Sequence, residues 1–223
     1  MTKPATVSDS DTFLITPSLL NSWANIWNCV DYVRESEKDE ISLEDKQSLA
    51  REQAFCEFLD TLNRLPSEPN IYMQRGIDFE EECYKGNTVI SPIIENGAYQ
   101  ISGKKVIKVD GINVLLYGRL DVLKGGIIYD IKRVTKYAPQ KYLKSYQHPV
   151  YLELFPDAQK FVYLVYDDTE KLHTETYYRD ECVDIKGIVA DFLNWLKAND
   201  LFDNLLSMTA GQKQPRLKGK NKL

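Results

Sequence analysis

Hydrophobic and polar residues follow two different periods along the chain, and the change of period separates helical from strand-rich parts. Apolar residues recur every three or four positions after Thr16-Pro-Ser18, again over residues 43–64 and again over residues 73–84, which predicts three helices. Thr16 or Ser18 is expected to cap the first helix. In the second helix, Leu49 is expected to face inward.

Residues 88–132 are rich in Val, Ile and Tyr and are divided by Asn-Gly, Asp-Gly and Gly-Gly pairs, which is typical of an antiparallel meander. The expected strands cover residues 88–94, 98–109, 112–123 and 126–132. A helix from Pro139 to Leu154, strands over 160–167 and 171–179, and a helix from Asp184 to Ala198 are expected to follow. The chain is therefore predicted to be an α/β protein.

A chain of 223 residues fits one domain. We expect that domain to cover residues 1–203, with a helical region over about 14–70 and a catalytic core over about 71–200. Residues 204–223 are basic and are expected to form a flexible tail. No apolar run reaches the roughly 20 residues needed to cross a bilayer, and the polar start lacks a signal sequence, so a cytoplasmic protein without a membrane partner is predicted.

The net charge of −5 hides a segregation of charge along the chain. Residues 1–60 carry twelve acidic and five basic residues, whereas residues 104–144 carry ten basic and three acidic residues. The basic stretch is expected to form either a surface for nucleic-acid phosphates or a merely solvated face. Its candidate contacts to nucleic acid are Arg133, Lys136, Lys144 and Tyr146.

Two of the three acids in the basic stretch flank a tight turn. If Gly125-Gly126 forms a two-residue hairpin loop, then Asp121 lies directly opposite Asp130. Carboxylates paired across a hairpin repel each other. A hard divalent cation such as Mg²⁺ offsets that repulsion, because it prefers oxygen ligands and is often held by one or two carboxylates.

Lys132 projects from the same face of the strand as Asp130, because side chains alternate with a period of two. An ammonium beside a metal site could orient or help deprotonate a water molecule, or neutralise charge that develops on phosphorus. This combination suits phosphodiester hydrolysis. The alternative is a hairpin edge that two acids and a lysine keep soluble.

Gly118-x-x-Asp121 followed by Asp130-Ile-Lys132 resembles the signature of PD-(D/E)xK nucleases in its RecB-like exonuclease form. Gln147 and Tyr151, spaced four apart, match a further motif of that branch. The segment Met73-Gln-Arg-Gly-x-x-x-Glu80 is similar to the helix that supplies the first acid in lambda-type phage exonucleases. The resemblance covers roughly residues 14 to 167.

The resemblance implies a restriction-endonuclease-like core, in which helices flank a mixed central β-sheet, with an N-terminal helical elaboration. It implies that Lys132 is the catalytic lysine and that Gln147 and Tyr151 support the site or touch nucleic acid. Glu81 is an alternative to Glu80 as the first acid. The implied metal ligands are Glu80, Asp121, Asp130 and the backbone carbonyl of Ile131.

These features together predict a Mg²⁺- or Mn²⁺-dependent deoxyribonuclease, most simply an exonuclease acting on single- or double-stranded DNA ends. Recombination, repair or phage DNA metabolism in a bacterial or phage-infected cell is the expected setting, with a homo-oligomer or a recombination protein as further partners. Cys29 and Cys182 lack the clustered cysteines of the iron–sulfur subgroup, so no cluster is expected. The alternatives are a non-catalytic nuclease-fold module that binds nucleic acid or protein, and a sequence-specific endonuclease.

Overall fold

A computed structural model describes residues 12–33, 41–66 and 68–205 of the chain. The helices are α1 (Pro17–Asn28), α2 (Leu43–Leu62), α3 (Ile71–Tyr84), α4 (Ser91–Ile94), α5 (Gln147–Leu154) and α6 (Ile185–Ala198). The strands are β1 (Thr12–Ile15), β2 (Ala98–Tyr99), β3 (Ser102–Val109), β4 (Ile112–Arg119), β5 (Val122–Lys124), β6 (Ile127–Val134), β7 (Lys160–Asp167) and β8 (Leu172–Tyr178). No helix of the described part is long and apolar enough to cross a membrane.

The strands form two sheets, each with parallel and antiparallel pairs. One sheet has the order β1-β4-β3 and the other has the order β2-β5-β6-β7-β8. The sheets meet where β4 leads into β5: the Leu120 amide donates to the Ile101 carbonyl, and the Gln100 amide donates to the Asp121 carbonyl at 2.8 Å. The predicted α/β class, with mixed sheets flanked by helices, is confirmed.

Strand β6 is covered on both faces, and its side chains alternate between two apolar clusters. Ile128 belongs to the larger cluster, which α1, α5 and α6 complete, whereas Ile131 belongs to the smaller cluster beside α3. This alternation follows from the period of two along a strand. It leaves Asp130 and Lys132 on the side of the larger cluster, next to the start of α5.

The predicted meander is wrong in two respects. Residues 88–94 are not a strand: Thr88 makes a turn in which its amide donates to the Ser91 hydroxyl, and the short helix α4 follows. Pro92 lies in the first turn of α4, where a missing amide hydrogen costs nothing. The remaining strands form separate hairpins in different sheets, since the chain turns away at Gln100 and again near Asp121.

The helix predicted from Pro139 begins instead at Gln147, and residues 139–146 form turns. Asn21 of α1 fixes this start, because its side-chain oxygen accepts the Tyr146 amide at 2.7 Å. Pro149 therefore lies in the first turn, where its ring clashes with no preceding helical carbonyl. The orientation of Gln147 is consequently not disturbed by a kink.

Two smaller expectations need correction and one is confirmed. Leu49 is 56% exposed, and α2 turns Ala54 and Phe58 inward instead. Leu205 is buried in the main core, so the basic tail does not begin at residue 204; residues 206–223 lie outside the described residues. Thr16 caps α1 as predicted, since its hydroxyl accepts the Leu19 amide at 3.2 Å.

Candidate active site

The hairpin of β5 and β6 has the register that the Gly125-Gly126 turn predicts. Lys124 pairs with Ile127 and Val122 pairs with Tyr129, so Asp121, one residue before β5, falls opposite Asp130. Both glycines have positive φ angles, 57° and 73°, which is the backbone conformation of a two-residue hairpin loop. The turn therefore brings the two carboxylates together.

Asp130 lies deep in the protein with few donors for its charge. The residue is 1% exposed; Oδ1 accepts a hydrogen bond from the side-chain amide of Gln147, and Oδ2 lies 2.6 Å from Nζ of Lys132. Oδ2 has no other partner among the described residues. Burial raises the pKa of Asp130, and the Lys132 charge opposes that rise only in part.

Asp121 faces the same charge problem from the other side of the hairpin. Its Oδ2 accepts the backbone amide of Ile131 at 2.8 Å. The pKa of Asp121 is raised well above its usual range, first by burial and then by repulsion from Asp130 and Glu80. The three acids consequently form one electrostatic cluster that disfavours its own ionisation.

Lys132 supplies the positive charge of this cluster. Burial lowers the pKa of Lys132, but the carboxylates of Asp130 and Asp121 outweigh burial and raise it above the ordinary value. The ammonium also lies 6.0 Å from the ring centre of Tyr163, which stacks on Tyr142. At neutral pH the lysine is therefore a cation, and it is suited to stabilising negative charge rather than to accepting a proton.

Of the two glutamates considered as the first acid, Glu80 belongs to the cluster and Glu81 is exposed. Burial raises the pKa of Glu80, the Tyr84 hydrogen bond lowers it, and the charges of Asp130 and Lys132 act on it in opposite directions. The Glu80 Oε1 atom accepts hydrogen bonds from the hydroxyl of Tyr84 and from the side chain of Gln100.

Tyr84 and Gln100 were not predicted from the sequence. Tyr84 stands four residues after Glu80 in α3, one helical turn away, so helical spacing could have indicated it. Gln100 lies on a different element, in the break between β2 and β3. The local sequence around Gln100 does not predict its contact with α3.

Gln147 and Tyr151 share a face of α5 but bond different groups. Gln147 bonds Asp130 directly, whereas the Tyr151 hydroxyl donates to the Arg119 carbonyl at 2.7 Å. A Cβ atom on Gly118 would lie 2.4 Å from the Tyr151 ring, so only glycine lets β4 approach this helix. The glycine and the tyrosine of the motif are thus two halves of one packing contact.

The proposed contacts to nucleic acid differ in their accessibility. Arg133 is 17% exposed, pairs with Asp168 at 2.7 Å and lies over Tyr166, and the Tyr146 ring stacks on Trp23. Lys136 is exposed, and Lys144 is exposed and paired with Asp31 at 2.9 Å. The basic stretch is therefore used partly for packing.

An open groove of about 890 Å³ lies between residues 137–146 and β8, and its lining does not include the acids of the cluster or Lys132. Its walls include Tyr137, Tyr146 and Tyr177. Glu175 at its base is 8% exposed and accepts a hydrogen bond from Tyr177 at 2.7 Å. The register across β6, β7 and β8 places Asp130, Tyr163 and Glu175 in one row, so the groove continues the face that carries the acids.

The donor set suits a hard divalent cation, although the described residues contain no group of three His, Cys, Asp or Glu side chains already arranged around one point. The fit depends on the hairpin acids, the half-buried Asp121 and the buried Asp130, which are oxygen donors with more negative charge than Lys132 neutralises. Magnesium sites commonly use one or two carboxylates and complete the shell with water and substrate phosphate. The Ile131 amide is bound to Asp121, and its carbonyl stays a predicted ligand.

No family model and no curated protein sequence matches the chain. Among solved structures, the chain is similar to SSO0001, with 18% identity, a TM-score of 0.44 and coverage of 88% of this chain and 79% of that one. It is also similar to a phage-related exonuclease from Haemophilus somnus 129PT (14% identity, TM-score 0.39, 78% and 94% covered) and to a protein from Eubacterium rectale named as an exonuclease (11%, 0.37, 94% and 91%). At these identities and TM-scores the similarities carry no functional argument. Any conclusion about function depends on the residues of the site.

Proposed function

We propose that this chain is a divalent-metal-dependent nuclease of the PD-(D/E)xK type that hydrolyses DNA phosphodiester bonds. The observation that carries the proposal is the pair of a half-buried Asp121 and a buried Asp130 at the end of one hairpin, with Lys132 beside it. Buried carboxylates that lack enough donors are costly to the fold. A function that requires their charge accounts for their presence.

In this proposal Asp121 and Asp130 hold Mg²⁺ or Mn²⁺, with Glu80 and the Ile131 carbonyl as further ligands. A bound cation supplies a Lewis acid that polarises the phosphoryl oxygen and lowers the pKa of a bound water. Lys132 places a fixed positive charge where negative charge develops on the phosphate. Gln147 keeps the Asp130 carboxylate oriented through Oδ1. The other oxygen, Oδ2, then faces Lys132 and would be the atom that binds the cation.

The groove supports a nucleic-acid substrate, because its tyrosine rings lie on the sheet face that carries Asp130, and tyrosine rings offer stacking surfaces to unpaired bases. Lys144, which lines the groove, and Lys136, next to Tyr137 in the chain, are the proposed phosphate contacts. We further propose that the enzyme digests from DNA ends, as an exonuclease in recombination, repair or phage DNA metabolism. Comparison of linear with covalently closed circular DNA tests that part separately, since only an endonuclease cuts the circle.

The deciding experiment compares the parent protein with Asp130→Asn on labelled linear duplex and single-stranded DNA, with Mg²⁺, Mn²⁺ or chelator. We expect cleavage by the parent only with metal, and a loss of at least about 10²–10³-fold in the variant. Asp110→Asn is the matched control, because the same change falls in the exposed turn between β3 and β4, where Asn-Gly is equally favourable. Equal digestion by the parent and Asp130→Asn would overturn the proposal.

A parent that binds Mn²⁺ and DNA but does not cut either substrate would instead favour a nuclease-fold binding module. The absence of a preformed three-acid group among the described residues is the observation on that side. Calorimetric titration with Mn²⁺ and with DNA separates the two functions. It needs no knowledge of the natural substrate.

A further inference from the structure

The carboxylate of Glu80 is tied down through one oxygen only. The Tyr84 hydroxyl and the Gln100 side-chain amide both donate to Oε1, and Gln100 Nε2 also donates to the Tyr84 hydroxyl at 2.9 Å. Among the described residues, no hydrogen bond reaches Oε2. The three side chains therefore form a closed triangle that leaves Oε2 available to the acid cluster.

Gln100 adopts a backbone conformation that is unfavourable for its residue type. Its φ angle is 55°, in the left-handed region that glycine occupies readily and a glutamine does not. Its backbone amide meanwhile donates to the Asp121 carbonyl at 2.8 Å. Gln100 thus bonds the Asp121 backbone carbonyl through its main chain and the Glu80 carboxylate through its side chain.

Strain of this kind persists only where the surroundings hold it in place, and it is often found at functional sites. Glycine would relieve it but would remove the donor to Glu80. The positive φ angle alone does not mark a functional site, since Gln140 and five other described non-glycine residues also have one; at Gln100 it coincides with the donor to Glu80.

We infer that Gln100 and Tyr84 are positioning residues that lock Oε1 of Glu80, so that Glu80 serves the metal site through Oε2 alone. We call the pair of donors from Gln100 and Tyr84 to Oε1 of Glu80 the clamp. This inference rests on the proposed function, since it assigns the clamp to a site for a divalent cation. Partners that orient metal ligands usually contribute about 10- to 100-fold to metal affinity or activity. The clamp is expected to act on that scale.

The test is Gln100→Gly, in which stability and metal affinity should change independently. We expect the variant to have a Tm equal to or above that of the parent, because the positive φ angle is relieved, while Mn²⁺ affinity measured by calorimetry falls about 10- to 100-fold. The matched control is Gln140→Gly: Gln140 is an exposed glutamine with a φ angle of 61°, so it shares the backbone strain without the contact to Glu80. Gln140→Gly should keep the Mn²⁺ affinity of the parent.

Tyr84→Phe provides a second route, because it keeps the ring contact with Tyr99 and removes only the hydroxyl. It should weaken Mn²⁺ binding less than Gln100→Gly, since Gln100 still holds Oε1. Parent-like Mn²⁺ affinity in both variants overturns the clamp and leaves the nuclease proposal standing. A parent that binds no Mn²⁺ overturns the proposed function and the clamp together.

Discussion

Two pairs of aspartates border the five-stranded sheet, and their charges are treated in opposite ways. Asp167, at the end of β7, accepts from the Thr169 hydroxyl at 2.7 Å, from the Thr169 amide at 2.9 Å and from His173 at 2.8 Å. These bonds, that of the Thr169 hydroxyl foremost, lower its pKa. Asp168 meets both Arg75 and Arg133 within 2.7 Å.

The pair of Asp121 and Asp130 is poorer in donors. Asp121 accepts from one backbone amide, and Asp130 accepts from one side-chain amide and pairs with one ammonium. The pKa of each is raised, chiefly by burial. Asp167 is also buried, at 5% exposed, so the supply of donors rather than burial alone separates Asp167 from Asp130. This difference in donors is expected if Asp121 and Asp130 serve the proposed metal site and Asp167 and Asp168 serve the fold.

The largest effect on stability is expected from Lys132→Met. Removal of the ammonium leaves Asp130 buried without a counter-charge, which should lower the free energy of unfolding by about 3 kcal/mol in chelator. Urea denaturation measures the loss. Addition of Asp130→Asn should restore most of it, because the uncompensated charge is then gone.

Arg75→Met is the corresponding change in the other pair. Asp168 keeps Arg133, and Arg75 is 41% exposed, so the loss should be below about 1 kcal/mol. Equal losses in Lys132→Met and Arg75→Met would show that the two pairs do not differ in the supply of positive charge.

Gly118→Ala should have the next largest effect, about 2 kcal/mol of destabilisation, because its Cβ would lie 2.4 Å from the Tyr151 ring. The measurement is the denaturation midpoint. Gly76→Ala in α3 is the control: nothing lies within 4 Å of its Cβ position, and alanine favours the helix, so stability should be unchanged or higher. A Gly118→Ala protein as stable as the parent would show that the close packing of β4 against α5 does not contribute to stability.

Asp121 and Asp167 should also respond oppositely to pH in chelator. The raised pKa of Asp121 means that its ionisation opposes folding, so its contribution to stability grows as pH falls from 7 towards 4. The lowered pKa of Asp167 means that its contribution is present above about pH 4 and is lost below it. Each group can change stability by at most about 1.4 kcal/mol per pH unit.

Thermal unfolding of the parent, Asp121→Asn and Asp167→Asn across pH measures this contrast. Asp121→Asn should depart from the parent mainly above pH 4 and Asp167→Asn should converge on the parent below it. Parallel profiles for all three proteins would contradict the assignment of the two pairs.

The hairpin acids could be predicted from the sequence because their placement depends on local rules. A two-residue turn fixes the register, and the period of two then places Asp121, Asp130 and Lys132 on one face. The helices α1, α3 and α6 likewise follow from spacing and caps within their own segments. Local information is sufficient for these parts.

The missed parts depend on contacts between distant segments. The start of α5 is set by Asn21, more than a hundred residues earlier, and Gln100 meets Glu80 only because β2 leads back past α3. Propensity within one segment cannot decide these two cases, since the deciding partner lies elsewhere. Residues 88–94 are a different case: Thr88 and Ser91 close a turn within the segment itself, and the Ser91 hydroxyl also donates to the nearby Cys83 carbonyl at 2.8 Å, so a local turn signal was missed there.

The smallest effect is expected from Tyr151→Phe, which separates support of the fold from work at the acids. The Tyr151 hydroxyl donates to the Arg119 carbonyl and also interacts with the Gln147 side chain, so its loss should cost about 1 kcal/mol and weaken Mn²⁺ binding less than loss of the Gln147 donor does. Gln147→Met, by contrast, removes the donor to Asp130 Oδ1 and should weaken Mn²⁺ binding. Denaturation and calorimetry on both variants measure the difference. If Tyr151→Phe weakened Mn²⁺ binding as much as Gln147→Met, the tyrosine of the motif would belong to the metal site, and structural and chemical groups could not be told apart by their donors.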